Sequence, residues 1–369
     1  MAGIYIHIPF CKQACTYCNF YFVNTLSRKE EFIQALLHEM EMSKDYLQGD
    51  LIETIYLGGG TPSLLEQDDL DRIFNTLAKF HTIDLKECTI EVNPDDLSVE
   101  KLNTLKSFPI NRLSIGVQSF FNQDLAFMHR AHNANEAEQC IVKAQSLGFD
   151  NITIDLIYGT PGLSLEGWEE NLMKANSLSV KHLSCYALTV EPKTKLYQSV
   201  KKGLTAAPND EKTNAQFDFL MDFARLNGFQ HYEISNFGKE NYLAIHNTNY
   251  WRGEKYLGLG PSAHSFNHLS RRWNVANLNN YIKAMNAGEM CYSEEVLSPE
   301  DQTNEYIMTS LRTQWGCNTE KIPAQFKINF SDSLKKIPTA YYHFSNNHLI
   351  LTQAGKHFAD YIASELFIL

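Results

Sequence analysis

The chain has 369 residues, of which 44% are hydrophobic and 20% charged, and this is the composition of a globular protein with enough length for two or three domains. The formal net charge of −11 argues against nucleic acid as a partner, because binding phosphates requires a basic surface. The sequence has no apolar stretch of membrane-spanning length and no basic signal-peptide start, so we expect a cytoplasmic protein.

Three cysteines, Cys11, Cys15 and Cys18, lie within eight residues directly after the strand-like segment 3–8. Three thiolates on one short loop can bind three corners of a [4Fe–4S] cluster, which leaves one iron open for chemistry. A zinc site is the alternative, but His7 or a distant cysteine would have to supply its fourth ligand. A disulfide would leave one cysteine over and is typical of secreted proteins. We therefore predict an iron–sulfur cluster.

Over the first 190 residues, short apolar segments alternate with amphipathic helical segments. The predicted strands are 3–8, 54–57, 88–92, 112–118, 151–159 and 182–188, and the predicted helices are 27–48, 68–80, 101–105, 134–147 and 165–178. Such alternation predicts an α/β fold with a parallel sheet and right-handed crossovers, either doubly wound or a barrel. Polar residues at the strand ends favour a barrel, and six units predict a partial, open (β/α)6 barrel.

Glu91, Gln118 and Asp155 each lie at or near the C-terminal end of a predicted strand, as do the cysteines. The C-terminal face of a βα barrel carries the site, so we expect these side chains to meet there. Any one acidic residue in isolation is more simply explained as a helix cap or a loop salt bridge. The glycine-rich segment 58–62 lacks the spacing of a phosphate loop. It is either a tight turn or a place where the backbone approaches a carboxylate or ammonium ligand.

The CxxxCxxC spacing after a first strand resembles the signature of the radical S-adenosylmethionine (SAM) family. Further segments resemble its coproporphyrinogen oxidase branch, in order along the chain: 5–11, 58–62, 91–94, 116–119, 155–162 and 186–188. The resemblance implies a [4Fe–4S] cluster on the three cysteines, with SAM chelating the open iron and yielding a 5′-deoxyadenosyl radical. It also implies contacts with SAM, or with a second SAM molecule, for Tyr5, Tyr17, Gly59, Gly60, Thr61, Glu91, Gln118, Arg130, Asp155 and Ala187. It does not identify a catalytic residue.

Beyond the predicted barrel (1–190), we expect a connecting region (191–289) that completes the site and a small C-terminal domain (290–369). The connecting region has a predicted helix at 211–226 and a predicted strand at 231–237. In the C-terminal domain, helical segments 299–314 and 354–366 flank a hairpin-like segment, 341–351, in which we expect Phe344, Leu349 and Leu351 to be core residues. This order predicts a winged-helix-like α+β module, and without a basic patch we expect it to pack or to cover a substrate.

Two features bear on the branch member. Phe20 occupies the position of a fourth cysteine in the coproporphyrinogen dehydrogenase, and the first strand starts at residue 3, where that enzyme has a long N-terminal extension. Residues 246–251 form an HNxxYW motif, which resembles that of the HemW group of haem chaperones. The resemblance implies haem as a third cofactor, delivery to apo-haemoproteins such as respiratory enzymes, and peripheral association with membrane respiratory proteins.

We predict His246 as the haem contact, with His7 and His264 as alternatives, because a haem site uses an axial imidazole between flat apolar walls. From the residues alone, the segment is equally well explained as a packed aromatic loop around a hydrogen-bonded histidine. The alternative function is an oxygen-independent coproporphyrinogen III oxidase, which would convert two propionates of a porphyrinogen to vinyl groups. A radical enzyme acting on an unrelated small substrate also remains open.

Overall fold

The computed structural model describes residues 1–368. The strands are β1 (Ala2–Ile8), β2 (Ile52–Gly59), β3 (Ile83–Val92), β4 (Arg112–Gln118), β5 (Ile152–Tyr158), β6 (His182–Ala187), β7 (Gln230–Glu233), β8 (Asn236–Gly238), β9 (Lys255–Leu259), β10 (His264–Phe266), β11 (Ser270–Asn274), β12 (Tyr292–Val296), β13 (Cys317–Asn318), β14 (Tyr342–Ser345) and β15 (His348–Leu351). The helices are α1 (Lys29–Met42), α2 (Gln67–Phe80), α3 (Val99–Lys106), α4 (Asn122–Phe127), α5 (Ala134–Ser146), α6 (Leu165–Ser177), α7 (Lys195–Lys201), α8 (Asp210–Leu226), α9 (Ile245–Arg252), α10 (Leu278–Asn286), α11 (Pro299–Leu311), α12 (Lys327–Leu334), α13 (Gln353–Lys356) and α14 (Ala359–Glu365). None of these helices is both long and apolar enough to cross a lipid bilayer.

The six strands β1 to β6 are neighbours in sequence order, and each pairs in parallel with the next. Helices connect them, so this part of the chain is the partial (β/α)6 barrel that the sequence predicts. Strand β4 coincides with the predicted segment 112–118, and the other five strands differ from prediction mostly at their ends. The largest difference is β3, which begins five residues earlier than predicted because the polar segment 83–87 also pairs in the sheet.

Alternate residues of the parallel strands have opposite environments, as the pleat of a strand requires. In β1, Ile4, Ile6 and Ile8 are fully buried in the main hydrophobic core. Tyr5 projects to the other side, where its ring stacks on Tyr56 of β2 at a centroid distance of 6.1 Å. We call the face that carries Tyr5, Tyr56, Glu91 and Asp155 the inner face of the sheet.

Both edges of the parallel core are extended. Next to β1, strand β9 adds in parallel and β10 to β12 add antiparallel to one another; next to β6, the hairpin β7–β8 adds antiparallel. The single strand predicted at 231–237 is wrong, because the chain turns between β7 and β8. The Glu233 carboxylate accepts the Ser235 N–H at 3.1 Å, and the Ile234 N–H donates to the carbonyl of Arg312 instead of continuing the strand.

The C-terminal residues form a small α+β unit in which α11 to α14 accompany a three-stranded antiparallel sheet with the order β13-β15-β14. It has its own hydrophobic core, which includes Leu349 and Leu351 as predicted. Phe344 was predicted to be in that core and is not, because it lies on the edge strand β14 and is 54% exposed. The predicted helix 354–366 is two short helices that break at 357–358.

Candidate cofactor site at the C-terminal edge of the barrel

The segment that carries the three cysteines is a closed loop at the C-terminal end of β1. The Cys11 N–H donates to the carbonyl of Val23 at 3.0 Å, and the Val23 N–H donates back to the carbonyl of Pro9 at 2.7 Å. The thiols of Cys11, Cys15 and Cys18 are partly exposed, and none forms a disulfide. Within residues 1–368, no three His, Cys, Asp or Glu side chains are close enough to hold a single metal ion.

Hydrogen bonds from other elements fix the cysteine loop in place. The Thr16 N–H donates to the carbonyl of Met128 at 3.1 Å, and the Gln13 side-chain amide donates to the carbonyl of His129 at 2.8 Å. The Leu196 N–H of α7 donates to the Thr16 carbonyl at 2.8 Å. The loop is therefore attached both to the segment that follows β4 and to the connection that follows β6, so its position depends on the barrel as a whole.

Arg130 joins the cysteine loop to two strand ends. Its Nη1 donates to the Cys15 sulfur at 3.2 Å, and its Nη2 donates to the Asn93 side chain at 2.6 Å and to the Gly116 carbonyl at 2.8 Å. The Nε of the same guanidinium is buried and has no hydrogen-bond partner among residues 1–368. A buried donor left unpaired is costly, so its presence here indicates a place for an acceptor such as a ligand carboxylate.

Two thiols of the loop, those of Cys11 and Cys18, have a raised pKa. Burial raises the pKa of Cys18 to about 11 and also raises the pKa of Cys11. The neighbouring Cys15 adds to both increases, because ionised thiols so near to one another repel. Without a metal the thiols of Cys11 and Cys18 are thus protonated at neutral pH, and metal binding must displace these protons.

Glu91 is held at the end of β3 by two donors. Its carboxylate accepts the Tyr56 hydroxyl at 2.8 Å and the Gly59 N–H at 3.0 Å. Burial raises its pKa, which these two hydrogen bonds partly counteract. A carboxylate has about four acceptor positions, so Glu91 retains capacity for a ligand ammonium or hydroxyl.

The glycine-rich segment brings the end of β2 against the start of the cysteine loop. The Gly60 N–H donates to the Ile8 carbonyl at 2.8 Å, and a Cβ at position 60 would lie 2.7 Å from the Phe10 carbonyl oxygen. Only glycine therefore allows this approach. It places the Thr61 hydroxyl 3.5 Å from the Cys11 sulfur. The observed contacts are those of a tight turn, and the approach of a ligand to the same glycines stays a prediction.

Asp155 lies in the middle of β5, partly buried on the inner face. Burial, followed by the nearby charge of Glu91, raises its pKa to about 7. Two carboxylates that share one poorly solvated region repel each other, and a ligand that brings positive charge or several hydroxyl donors relieves this repulsion. The pair thus fits a ligand such as SAM, which carries both.

The remaining predicted contacts lie around the same edge. Gln118 ends β4 with a positive φ of 67°, and Ala187 ends β6. The Tyr5 hydroxyl lies 3.0 Å from Nδ1 of His7, and Tyr17 packs against the small cluster formed by Leu125, Met128, Ile157, Leu188 and Leu196. Hydrogen bonds therefore connect Cys15 through Arg130, Asn93 and Thr61 to Cys11, and the Gly59 N–H holds Glu91 at the neighbouring strand end. Tyr17 lies on the side of the loop that packs against the core.

His246 lies elsewhere, in the first turn of α9, and it is buried. Its Nδ1 lies 2.8 Å from the Thr54 hydroxyl and its Nε2 lies 2.8 Å from the Tyr250 hydroxyl. Its ring stacks on Tyr56 at 5.3 Å. Since both ring nitrogens are engaged, His246 has the environment of a hydrogen-bonded histidine in an aromatic cluster, and bonding to iron would require it to release one hydroxyl.

Comparison with known proteins agrees with this geometry. The profile of the Radical SAM superfamily matches residues 5–175. The haem chaperone HemW of Bacillus subtilis (strain 168) is 34% identical over 96% of this chain and 96% of its own length, and that of Lactococcus lactis (strain IL1403) is 35% identical over 88% and 85%. The chain belongs to the HemW family. Coproporphyrinogen III oxidase (HemN) from Escherichia coli has the same fold, with a TM-score of 0.86 and 21% identity over 99% of this chain and 90% of that one.

In this HemW family member, α9 also connects the barrel to the C-terminal unit. The N–H groups of Ile245 and His246 donate to the carboxylate of Glu87 at 2.8 and 2.9 Å, which fastens the helix N-terminus to β3. At the other end of α9, the Arg312 guanidinium of the C-terminal unit lies over the Trp251 ring at 5.4 Å. The motif helix therefore links the barrel to the C-terminal unit.

Sequence reasoning missed three residues that shape the site. The Tyr56 hydroxyl donates a hydrogen bond to Glu91. The Asn93 side-chain oxygen accepts a hydrogen bond from Arg130, and the Asn93 side-chain nitrogen donates one to the Thr61 hydroxyl at 3.2 Å. Glu87 caps α9. Asn93 stands in a segment that carries the family resemblance, so its position was available as a signal. Tyr56 and Glu87 had no such signal, because their partners are 35 residues away in one case and more than 150 in the other.

Proposed function

We propose that this HemW family protein binds a [4Fe–4S] cluster, SAM and haem, and delivers the haem to apo-haemoproteins. The single observation that supports this most strongly is its similarity, over almost the whole length of both chains, to the haem chaperone HemW of B. subtilis. The recipients we propose are respiratory haemoproteins, some of them at a membrane with which the protein would associate peripherally. The cytoplasmic location stays a prediction.

In this proposal the thiols of Cys11, Cys15 and Cys18 hold the cluster. The Arg130 guanidinium beside Cys15 offsets the negative charge that the cluster brings, and its unpaired Nε is available to the carboxylate of SAM. Glu91 and Asp155 accept hydrogen bonds from the ammonium and ribose hydroxyls of SAM. When bound, the cluster supplies one-electron reduction to SAM.

The remaining predicted SAM contacts surround this centre. Gly59 and Gly60 let the backbone approach the ligand. Thr61 follows the end of β2, and Gln118 and Ala187 are the last residues of β4 and β6. The Tyr5 ring on the inner face offers a flat surface. For haem, His246 would have to exchange its hydrogen bond with Thr54 or Tyr250 for a bond to iron.

The proposal is tested with anaerobically reconstituted protein, SAM and a reductant, given coproporphyrinogen III in one sample and haem in another. We expect no vinyl product from coproporphyrinogen III, and a haem spectrum that persists through gel filtration. Vinyl product together with 5′-deoxyadenosine would overturn the chaperone assignment and identify an oxygen-independent coproporphyrinogen III oxidase, which the shared fold allows. If neither haem binding nor product is found, both assignments are wrong and another substrate must be sought.

A further inference from the structure

The turn between β9 and β10 places a histidine at the same end of the sheet as the cysteine loop. Strand β9 runs parallel to β1. The turn that follows β9 packs closely against β1, since a Cβ added to Gly260 would lie only 2.5 Å from the His7 carbonyl oxygen. His264 is the first residue after this turn, at the start of β10. It therefore lies at the edge where the cysteine loop leaves β1.

The register of these strands shows which face His264 occupies. His264 is directly opposite Trp273 of β11, and Arg271, two residues before Trp273, donates to the Tyr256 hydroxyl at 3.0 Å. Tyr256 in turn contacts Tyr250 with ring centroids 4.5 Å apart, in the aromatic cluster of His246. Since residues two apart in a strand share a face, His264 and Trp273 lie on the inner face.

Arg272 supports this orientation from the opposite side of the sheet. Its guanidinium lies over the rings of Tyr46 and Tyr292, at 4.7 and 4.4 Å, and its Nε donates to Glu294 at 2.8 Å. Tyr46 belongs to the segment that follows α1, a helix on the outer side of the sheet. Arg272 thus points outward, and its neighbour Trp273 points inward.

The three histidines that were candidates for haem differ in whether a ring nitrogen is available. His7 has Nδ1 at 3.0 Å from the Tyr5 hydroxyl and Nε2 at 2.9 Å from the Tyr21 carbonyl. His246 is likewise bonded at both nitrogens. The imidazole of His264 is exposed and makes no side-chain hydrogen bond with any described residue. Trp273 flanks it with ring planes 30° apart and centroids 6.4 Å apart.

We propose that His264 is the axial ligand of haem on the inner face, with the Trp273 indole packed beside it. This rests on the proposed haem binding. An imidazole with a free nitrogen bonds iron without displacing an internal hydrogen bond, whereas His7 and His246 would each lose one. The Trp273 ring provides the flat apolar surface that a porphyrin plane packs against. His246 then acts as a structural residue of the aromatic cluster.

The test is a titration of the full-length reconstituted protein with ferric haem, followed by Soret difference spectra and by the electron paramagnetic resonance spectrum of the ferric iron. His264→Ala is compared with wild type and with His268→Ala, which removes an exposed histidine four residues away. We expect His264→Ala to weaken haem binding by about tenfold or more and to lose the low-spin nitrogen-ligated signal. His268→Ala should match wild type, and added imidazole should restore the signal in His264→Gly.

The possible results separate this assignment from the proposed function. If wild type binds haem and His264→Ala shows the same affinity and the same spectrum, the axial assignment is wrong while haem binding stands. If His246→Gln alone loses the low-spin signal, His246 is the ligand and the assignment to His264 is wrong. If wild type itself binds no haem, the proposed function fails, and this inference fails with it.

Discussion

The cysteine loop and helix α9 both carry motifs typical of the family, and they differ in how many of their polar groups are already paired. At the cysteine loop, the three thiols have no covalent partner and the Nε of Arg130 has no acceptor in the part of the chain that the structure describes. In α9, both nitrogens of His246 are hydrogen-bonded, and the helix N-terminus is capped by Glu87. The first region has capacity left for ligands, and the second holds parts of the molecule together.

A motif therefore identifies important residues without saying what they bind. A buried polar group that is already satisfied contributes to stability and specificity of the fold, whereas one left unsatisfied indicates a ligand or strain. The comparison predicts that substitutions in the cysteine loop abolish cofactor binding with little loss of stability, and that substitutions around α9 do the reverse.

The largest expected effect is the loss of the cluster in Cys15→Ala. With only two thiolates the loop cannot hold three corners of a cubane, so iron and labile sulfide per protein should fall close to zero after reconstitution. The matched control is Cys291→Ala, another partly exposed cysteine, which should keep the full iron content. A Cys15→Ala protein with wild-type iron and sulfide would contradict the assignment.

Removing the cap of α9 should have the next largest effect. Glu87→Ala leaves two helix N–H groups unpaired and removes the charge near the buried Arg112, whose Nε lies 3.9 Å from the Glu87 carboxylate. We expect a decrease of about 3–5 kcal/mol in the free energy of unfolding, measured by denaturant titration. The exposed Glu240→Ala should change it by less than about 0.5 kcal/mol. If both variants changed the free energy of unfolding by an equally small amount, α9 would not connect the barrel to the C-terminal unit as described.

The raised pKa of Asp155 makes its contribution depend on pH. A carboxyl with a folded-state pKa of about 7 binds its proton more tightly than in the unfolded chain, so its stabilisation is present at low pH and lost as the pH rises through 7. Asp155→Asn should therefore stabilise the cofactor-free protein at pH 8, by about 1–2 kcal/mol after allowance for partial exposure, and much less at pH 5.

The same variant should weaken SAM binding, because the amide accepts fewer hydrogen bonds than the carboxylate. Thermal unfolding at the two pH values and equilibrium SAM binding are the measurements. A stabilisation that is the same at pH 5 and pH 8 would show that Asp155 is not held near neutrality.

Tyr56 of β2 contacts Glu91 at the proposed cofactor site and His246 in α9, and its hydroxyl should make a smaller contribution than the groups above. Tyr56→Phe keeps the ring that stacks on His246 but removes the hydroxyl that donates to Glu91. We expect SAM affinity to fall several-fold, corresponding to about 1 kcal/mol for one hydrogen bond, with little change in melting temperature. The control is Tyr46→Phe, since the buried Tyr46 hydroxyl has no hydrogen-bond partner among the described residues and its loss should leave SAM affinity unchanged.

The barrel was predictable from the sequence because its signal is local: apolar strand segments alternate with amphipathic helices, and polar residues follow the strands. The cysteine loop was predictable for the same reason, since its three thiols lie within eight residues. Two kinds of feature were not predictable. The break between β7 and β8 depends on the Glu233 side chain and on a main-chain bond to Arg312, which is remote in sequence.

The environment of His246 is the second feature that the sequence did not predict. Its partner Thr54 is 192 residues away, so no local pattern distinguishes an imidazole with a free nitrogen from one with both nitrogens engaged. The same holds for Phe344, whose exposure follows from the position of β14 at the edge of its sheet. The hydrogen bonding of His246 and the exposure of Phe344 both depend on pairing between residues that are far apart in the sequence, and local sequence patterns do not encode that pairing.

Transfer of haem to a recipient protein is the most direct test of a chaperone function. The haem-loaded, reconstituted protein is mixed with an excess of an apo-haemoprotein, and the recipient's absorption spectrum is followed with time at several recipient concentrations. We expect transfer to be faster than dissociation of haem into a large excess of a passive haem scavenger, with a rate that rises with recipient concentration. Transfer no faster than this passive loss, and independent of the recipient, would contradict a chaperone function.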